Sequence, residues 1–511
     1  MAFISLLGIS SDITQLELLQ LQLKSLLLPI IICILLSINY WKRNTLSVPP
    51  GPRGWPYIGN LLTLSGESPH ETLMEMAKRY GSVMALKLGV FPVFVLSDYE
   101  SIREAFVKSG DTFSDRPKIA VFEGFNKGRG VLGAFHKNGQ KEQRRFAMAV
   151  LRGFGMGKTS FEGKINEEIY MYIDHIKKTY RNNAFDPAHI TNTSVSNVLT
   201  SVLYGRRFSY DDPLLQEMLR ITNRCVELAT NASSMNFLPI LKYFPNTSFA
   251  EFWKLHVNLK EIQVNILKEH LEDYDPDNLR DFIDIYINEI EKNKDKRTSF
   301  DEGNLTCVAT DLFVAGSETT ATTLLWAMLY MSLYPEIQQK VHDELDQVVG
   351  AGNHPTKAHI PQLPYTDAVL LEIQRMGAIT PLGIPHAATT DTTFRGYDIK
   401  KGTIFISNIF AVLRDPKVWK NPDVFCPERF LDENNQVTRR EEFIPFCIGR
   451  RECLGQQLAK MELYLFFTNI MMNFNITRPE NAPTPNLRGK IAATRVPHSF
   501  QIIATPRYTH G

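Results

Sequence analysis

FCIGRRECLG (residues 446–455) sets Cys453 among two glycines and two arginines, directly before QQLAKMELYLFF, a run with helical periodicity. Gly449 permits a close backbone approach, Arg451 supplies a permanent positive charge, and Gly455 opens the helix, whose first N–H groups point back at the Cys453 sulfur. Each of these favours a thiolate. A thiolate with neither a second cysteine nor a histidine beside it is a nucleophile or an axial metal ligand. A nucleophile wants an adjacent base, which this stretch lacks, whereas haem iron needs only the sulfur and backbone donors to tune it.

The rest of the chain narrows the classes. With 511 residues, 44% hydrophobic and 22% charged, it buries a large core. Lys plus Arg (56) nearly cancels Asp plus Glu (55), so there is no basic surplus for a nucleic-acid backbone. Nucleic acid is not an expected partner. The cysteines at 33, 225, 307, 426, 447 and 453 are scattered without a CxxC pair, which argues against a disulfide framework or a zinc site.

Residues 25–41 (SLLLPIIICILLSINYW) carry no charge over 17 positions, near the lower limit for a transmembrane helix, and end in Tyr40 and Trp41, residues suited to a membrane interface. Lys42 and Arg43 follow, while residues 1–24 hold Asp12, Glu17 and only Lys24, so the charge bias puts the C-terminal side in the cytosol. A cleaved secretory signal is the competing reading, but the basic start and small-residue cleavage site are both missing. Pro49, Pro50, Gly51 and Pro52 then form a stiff spacer. With no repeat and no second linker, the expected division is a lumenal segment 1–24, an anchor 25–41, a basic and proline-rich hinge 42–60, and one catalytic domain 61–511.

VMALKLG (83–89) and PVFVLSD (92–98) read as two strands joined by a short turn. Elsewhere the 3.6-residue period dominates: ETLMEMAKRY (71–80), SIREAFVKS (101–109), the run 249–274, the long apolar run 304–334, PEIQQKVHDELDQVV (335–349) and the run 455–474. The expected class is mainly α with a minor β region.

Phe446, Gly449, Arg451, Cys453 and Gly455 together satisfy F-x-x-G-x-R-x-C-x-G, and on this motif the chain resembles the cytochromes P-450. The likeness runs along essentially the whole chain: the proline hinge, AGSETT (315–320), the Glu372 and Arg375 pair, and PERF (427–430) follow in the family's order. PPGPRGWPYIGN, NVLTSVLYGRRFSYDDP and IPHAATTDTTFRGYDIKKGT are similar to the animal microsomal branch, whose members oxidise drugs, fatty acids and steroids. The resemblance implies a single large helical domain with small sheets behind an N-terminal membrane anchor helix, single-pass in the endoplasmic reticulum membrane with the catalytic domain cytosolic. It implies a haem-thiolate monooxygenase with haem b (iron protoporphyrin IX), O2 and NADPH-cytochrome P-450 reductase, with cytochrome b5 as a second electron donor. The substrate it implies is a hydrophobic small molecule: a fatty acid, steroid or xenobiotic.

Gly316 inside a long apolar helix costs about 1 kcal/mol relative to alanine, so something is expected to approach the backbone there, and oxygen over haem is one such thing. Glu318 and Thr319 put a carboxylate and a hydroxyl on a segment poor in charge, suited to ordering water and delivering protons; the competing reading is a threonine back-bonded to its own helix. The matched family positions are the acid and alcohol of oxygen activation. Glu372 and Arg375 share a helix face, and the resemblance adds Arg429 as a structural third member. The haem carboxylates call for cations. By resemblance these are Arg144, His386 and Arg451, together with Arg129. One departure stands out: where the family has W-x-x-x-R, Gln140 stands four residues before Arg144, so an indole donor is missing.

By resemblance the substrate cavity is lined by Val121, Phe122, Phe125, Leu132, Phe237, Leu238, Phe313, Ile384 and Val496, with Arg495 and His498 as polar contacts. Lys141, Arg145, Arg450 and Lys460 are the expected cationic patch for an acidic reductase. Two other functions compete. One is a haem-thiolate isomerase or dehydratase working on a lipid peroxide without outside electrons, against which the retained Glu318 and Thr319 argue. The other is a non-catalytic membrane haem binder.

Overall fold

In the computed structural model the residues described are 46–136, 139–153, 159–231, 236–238 and 247–508, with Leu27, Ile30, Ile31 and Ile34 as isolated positions before them. Those four are helical and exposed at spacings of three and four, so they share one face. The rest of the expected anchor lies outside the described residues. Among the described residues no helix is long and apolar enough to cross a membrane.

The long helices are α1 (Pro69–Tyr80), α2 (Gln140–Gly153), α3 (Thr159–Thr179), α4 (Ala188–Leu203), α5 (Pro213–Asn231), α6 (Thr247–Glu272), α7 (Phe282–Lys292), α8 (Glu302–Leu333), α9 (Pro335–Val348), α10 (Pro364–Gly377) and α11 (Gln456–Asn473). The expected segment 101–109 is a short α-helix, Tyr99–Arg103, running into a π-helical turn, Glu104–Lys108. Asp301 caps α8 by accepting the Asn304 N–H at 2.7 Å, and Asp281 caps α7 through the Asp284 N–H at 3.0 Å. α8 is apolar on almost every side because it is the central helix: α4, α6 and α11 all pack on it.

The main sheet has strands β1 (Val83–Leu88), β2 (Phe91–Leu96), β3 (His386–Ala387) and β4 (Ile404–Ser407) in the order β1-β2-β4-β3. β1 and β2 form the expected hairpin in register Val83 to Leu96, and β2 runs parallel to β4. The proline stretch is not a free spacer. Pro49 is buried, the Pro50 carbonyl accepts the Ala85 N–H of β1 at 3.0 Å, and the Ala85 carbonyl occupies the space that a Cβ on Gly51 would need. The hinge is therefore docked along the sheet.

Candidate functional site

The cysteine loop is set by its backbone. Cys453 N–H donates to the Phe446 carbonyl at 3.0 Å, and Glu452 N–H donates to that of Gly449 at 3.1 Å. Gly449 has φ +89°, and a Cβ there would collide with the Phe106 carbonyl, so only glycine serves. Gly455 is the N-cap of α11 and its N–H is hydrogen-bonded to the Cys453 sulfur; a Cβ on Gly455 would meet nothing within 4 Å. The Cys453 side chain is exposed, on a loop otherwise closely surrounded by protein. Burial pushes the thiol pKa up, against the Gly455 N–H, Arg144 and Lys460, which pull it down. The positive surroundings expected from the sequence are present, but burial outweighs them.

α8 shows the matching feature. Leu312, Ala315, Gly316 and Thr319 keep accessible surface in a helix that is buried before and after them, and their spacing puts them on one face. Leu454, beside the cysteine, and Leu312 both pack on the same two hydrophobic clusters, and α11, which the cysteine loop leads into, packs on α8. The Thr319 hydroxyl donates to the Ala315 carbonyl at 2.9 Å, so the back-bonded conformation is the one present. Glu318 turns the other way and accepts the Thr494 hydroxyl at 2.5 Å. Burial raises the Glu318 carboxyl to about 7. The close approach at Gly316 comes from Leu199 of α4, whose Cδ2 would lie 2.8 Å from an added Cβ. Helix packing, not space for oxygen, is what this glycine visibly provides.

A second group of residues gathers positive charge. Arg451 is 8% exposed and donates to the carbonyls of Ser114 (2.8 Å), Val131 (3.2 Å) and Ala134 (2.6 Å). Arg116, 4% exposed, donates to Leu132 (2.9 Å), Pro385 (2.9 Å) and Ile384 (3.2 Å). Burial and then the Arg451 charge hold Arg116 well below arginine's ordinary range; burial lowers Arg451 to about 10. His386 donates from Nδ1 to the Phe113 carbonyl at 2.7 Å and stacks on Phe106. Burial, Arg116 and Arg451 push it well below the usual histidine range, so the ring is neutral and Nε2 carries a lone pair. Arg144, half-buried, donates to the Glu452 carbonyl at 2.7 Å. Arg129 lies apart, paired with Asp301 at 3.0 Å on the surface. Asp115 is the acid beside Arg116 and Arg451, and its Oδ1 already accepts the N–H groups of Arg116 and His136. Gln140 is buried as the first residue of α2, one turn before Arg144.

Sequence reading missed four residues here. Arg116 carries no motif signal. Asp311 of α8 accepts Val131 N–H (2.8 Å), Leu132 N–H (2.9 Å) and Asn126 Nδ2 (2.8 Å), fixing the loop that also feeds carbonyls to both arginines; burial raises it to about 7. Glu462 of α11 is buried, hydrogen-bonded to Thr320 of α8, and raised by burial to about 8. Thr494 holds Glu318.

Other expectations meet mixed outcomes. Arg375 donates to Glu372 from Nε (2.8 Å) and Nη2 (2.9 Å), both residues buried, and half-buried Arg429 joins through Nε at 3.0 Å: the expected structural triad. Arg495 is not a substrate contact, because its donors go to the carbonyls of Arg488, Met376, Gly377 and Leu487. Phe313 is fully buried and stacks on Tyr204, a core position. Val121 and Leu132 keep some accessible surface, and Ile384 is exposed. In the cationic patch, Asp111 pairs with both Lys141 (3.4 Å) and Arg450, while half-buried Lys460 sits 5.5 Å above the Phe446 ring.

The Cytochrome P-450 family model matches residues 49–504. Cytochrome P-450 2U1 of Homo sapiens is 37% identical over 509 residues, 94% of this chain and 93% of the relative. Cytochrome P-450 2J3 of Rattus norvegicus is 41% identical over 497 residues (95% and 97%), and 2J2 of Homo sapiens 40% over 485 residues (93% and 95%).

Proposed function

The chain belongs to the cytochrome P-450 family and is a haem-dependent monooxygenase, and from that premise we propose that Cys453 would supply the thiolate that holds haem b and that Arg116, Arg144 and Arg451 would receive the two haem carboxylates, with His386 joining them by taking a proton on Nε2. The observation that carries this reading is an accessible Cys453 in the same loop as buried Arg451, which with buried Arg116 has Asp115 as the one acid named beside both, so the two cations outnumber it. Three of the five N–H donors on Arg451 are spent on carbonyls, leaving two for a carboxylate. The residues fit the group.

Phe446, Gly449 and Gly455 hold the sulfur in place through the loop hydrogen bonds and the N–H at the start of α11. Haem, when bound, supplies oxygen activation and insertion of one oxygen atom into the substrate. The chain does the rest. Thr319, donating to Ala315, keeps lone pairs that accept a hydrogen bond from water on the accessible face of α8. Glu318, near 7, takes or gives a proton at neutral pH through the Thr494 side. Arg129 has no part in this reading.

Family membership brings O2, a redox partner and hydrophobic substrates with it. NADPH-cytochrome P-450 reductase is the proposed partner, with cytochrome b5 beside it, and residues 25–41 the proposed single-pass anchor in the endoplasmic reticulum membrane. The accessible apolar surface of Val121, Leu132 and Ile384 supports a fatty acid, steroid or xenobiotic as substrate. Haem-loaded protein with reductase, NADPH and a panel of such compounds tests this. Product formed in step with NADPH oxidation is expected; rearrangement without NADPH would overturn it.

A further inference from the structure

Away from the haem-side space, a cavity of about 210 Å³ opens between α10, the first turns of α11 and the short turn Lys357–Gln362. Its lining includes the apolar Leu370, Met461 and Leu463, and Lys357, Arg439 and Lys460 bring three cations to it against one carboxylate, Asp367. That carboxylate is taken by Arg439 at 3.1 Å. Burial and then the Arg439 charge hold the Lys460 ammonium below lysine's usual range, and with Asp367 paired to Arg439, Lys460 forms no salt bridge of its own among the described residues. Two other lining residues carry buried polar atoms without a partner, the Tyr464 hydroxyl and Gln374 Oε1. Besides Asp367, the carboxylates near Tyr464 are Glu344, which accepts Tyr365 N–H and Thr366 N–H, and Glu162, which accepts Lys357 N–H. A native fold seldom leaves such atoms unpaired without a use.

Positive charge beside apolar lining residues selects an amphiphilic anion, and a volume below the roughly 300 Å³ of a drug-sized site selects a short one. We propose that this cavity binds a medium-chain monocarboxylate as an effector, with its carboxylate at Lys460 and its hydrocarbon chain against Leu370 and Met461. The route to the haem side is short. Lys460 sits over the Phe446 ring at 5.5 Å, and the Phe446 carbonyl accepts the Cys453 N–H. An anion that neutralises Lys460 removes part of the positive field on the sulfur, which makes the haem harder to reduce.

The test uses octanoate as probe and octan-1-ol as the uncharged control, on haem-loaded protein whose iron is saturated with imidazole. Octanoate is expected to bind, and to move the haem midpoint potential to a more negative value. Lys460→Met and Tyr464→Phe should each weaken binding about tenfold, one charge-assisted hydrogen bond. Because the Tyr464 hydroxyl has no partner, Tyr464→Phe should keep the thermal midpoint of the parent, which separates lost binding from lost folding. Octanol binding as tightly as octanoate, or unchanged octanoate affinity in both variants, overturns the site; binding without a change in potential overturns its role as an effector.

Discussion

Arg116 and Arg451 hold neighbouring carbonyls of one loop: Arg116 Nε donates to Leu132 O at 2.9 Å and Arg451 Nη1 to Val131 O at 3.2 Å. Two buried guanidinium groups repel one another, and they stay together because loop carbonyls from 131 to 134 and from 384 to 385 are turned toward them. In the proposed function, haem carboxylates would complete the arrangement. Arg116→Met should accelerate haem release to an acceptor protein by at least about tenfold, since a charge-assisted hydrogen bond contributes about 1.5–3 kcal/mol. Arg116→Lys should not restore retention, because one ammonium cannot span three carbonyls. Wild-type haem retention in Arg116→Met would remove this residue from the haem site.

Gly316 makes a packing prediction. An alanine there gains about 1 kcal/mol of helix propensity but presses on Leu199, and overpacking costs about 1–3 kcal/mol. Gly316→Ala should lower stability in denaturant melts, and Leu199→Ala in the same chain should return part of the loss. Unchanged stability with poorer coupling of NADPH to product would instead assign the glycine to the oxygen side.

Thr319→Ala removes the hydroxyl on the accessible face of α8. NADPH oxidation should continue while substrate oxidation falls, the difference appearing as hydrogen peroxide. Thr494→Val strips Glu318 of its donor and should raise the pH at which coupling changes, because the lost hydrogen bond favoured the ionised carboxylate. Parent-like coupling in Thr319→Ala would set aside its role.

Glu462 predicts a pH dependence of stability. Its folded pKa is raised from 4.5 to about 8, so the folded state favours the protonated form. The stabilisation is complete below 4.5 and is lost as pH rises through about 8. Glu462→Gln keeps the shape without the titration, so the variant should lose less stability than the parent between pH 6 and pH 9, measured as thermal midpoints. Parallel curves would show that Glu462 does not titrate in this window. Asp311 and Glu318 act in the same direction below it, each raised to about 7.

The sequence disclosed the cysteine loop because its backbone demands fall in one contiguous stretch, with Gly449 at a positive φ and Gly455 at a helix start. The buried Glu372 triad was legible too, since two of its members lie three apart on an apolar helix. Arg116 and Asp311 were not. Their partners are main-chain groups of a loop whose path depends on the whole fold, and Asp311 is about 180 residues from the amides it holds, a separation that no local pattern encodes. α4 was missed for another reason: AHITNTSVSNVLTSVL is rich in β-branched and hydroxyl residues of low helix propensity, and burial among α3, α5 and α8 overrides them. Arg495 misled because its segment was placed at the substrate cavity by resemblance, whereas backbone carbonyls take up its side chain here.

The central claim is that Cys453, and not the neighbouring Cys447, ligates the haem iron. The direct measurement is the absorption spectrum of the reduced, carbon monoxide-bound protein, in which thiolate ligation moves the main band to long wavelength. Cys453→Ala should lose the long-wavelength band while Cys447→Ala keeps it. A Cys453→Ala protein that retains the band, or a Cys447→Ala protein that loses it while still binding haem, would contradict the account.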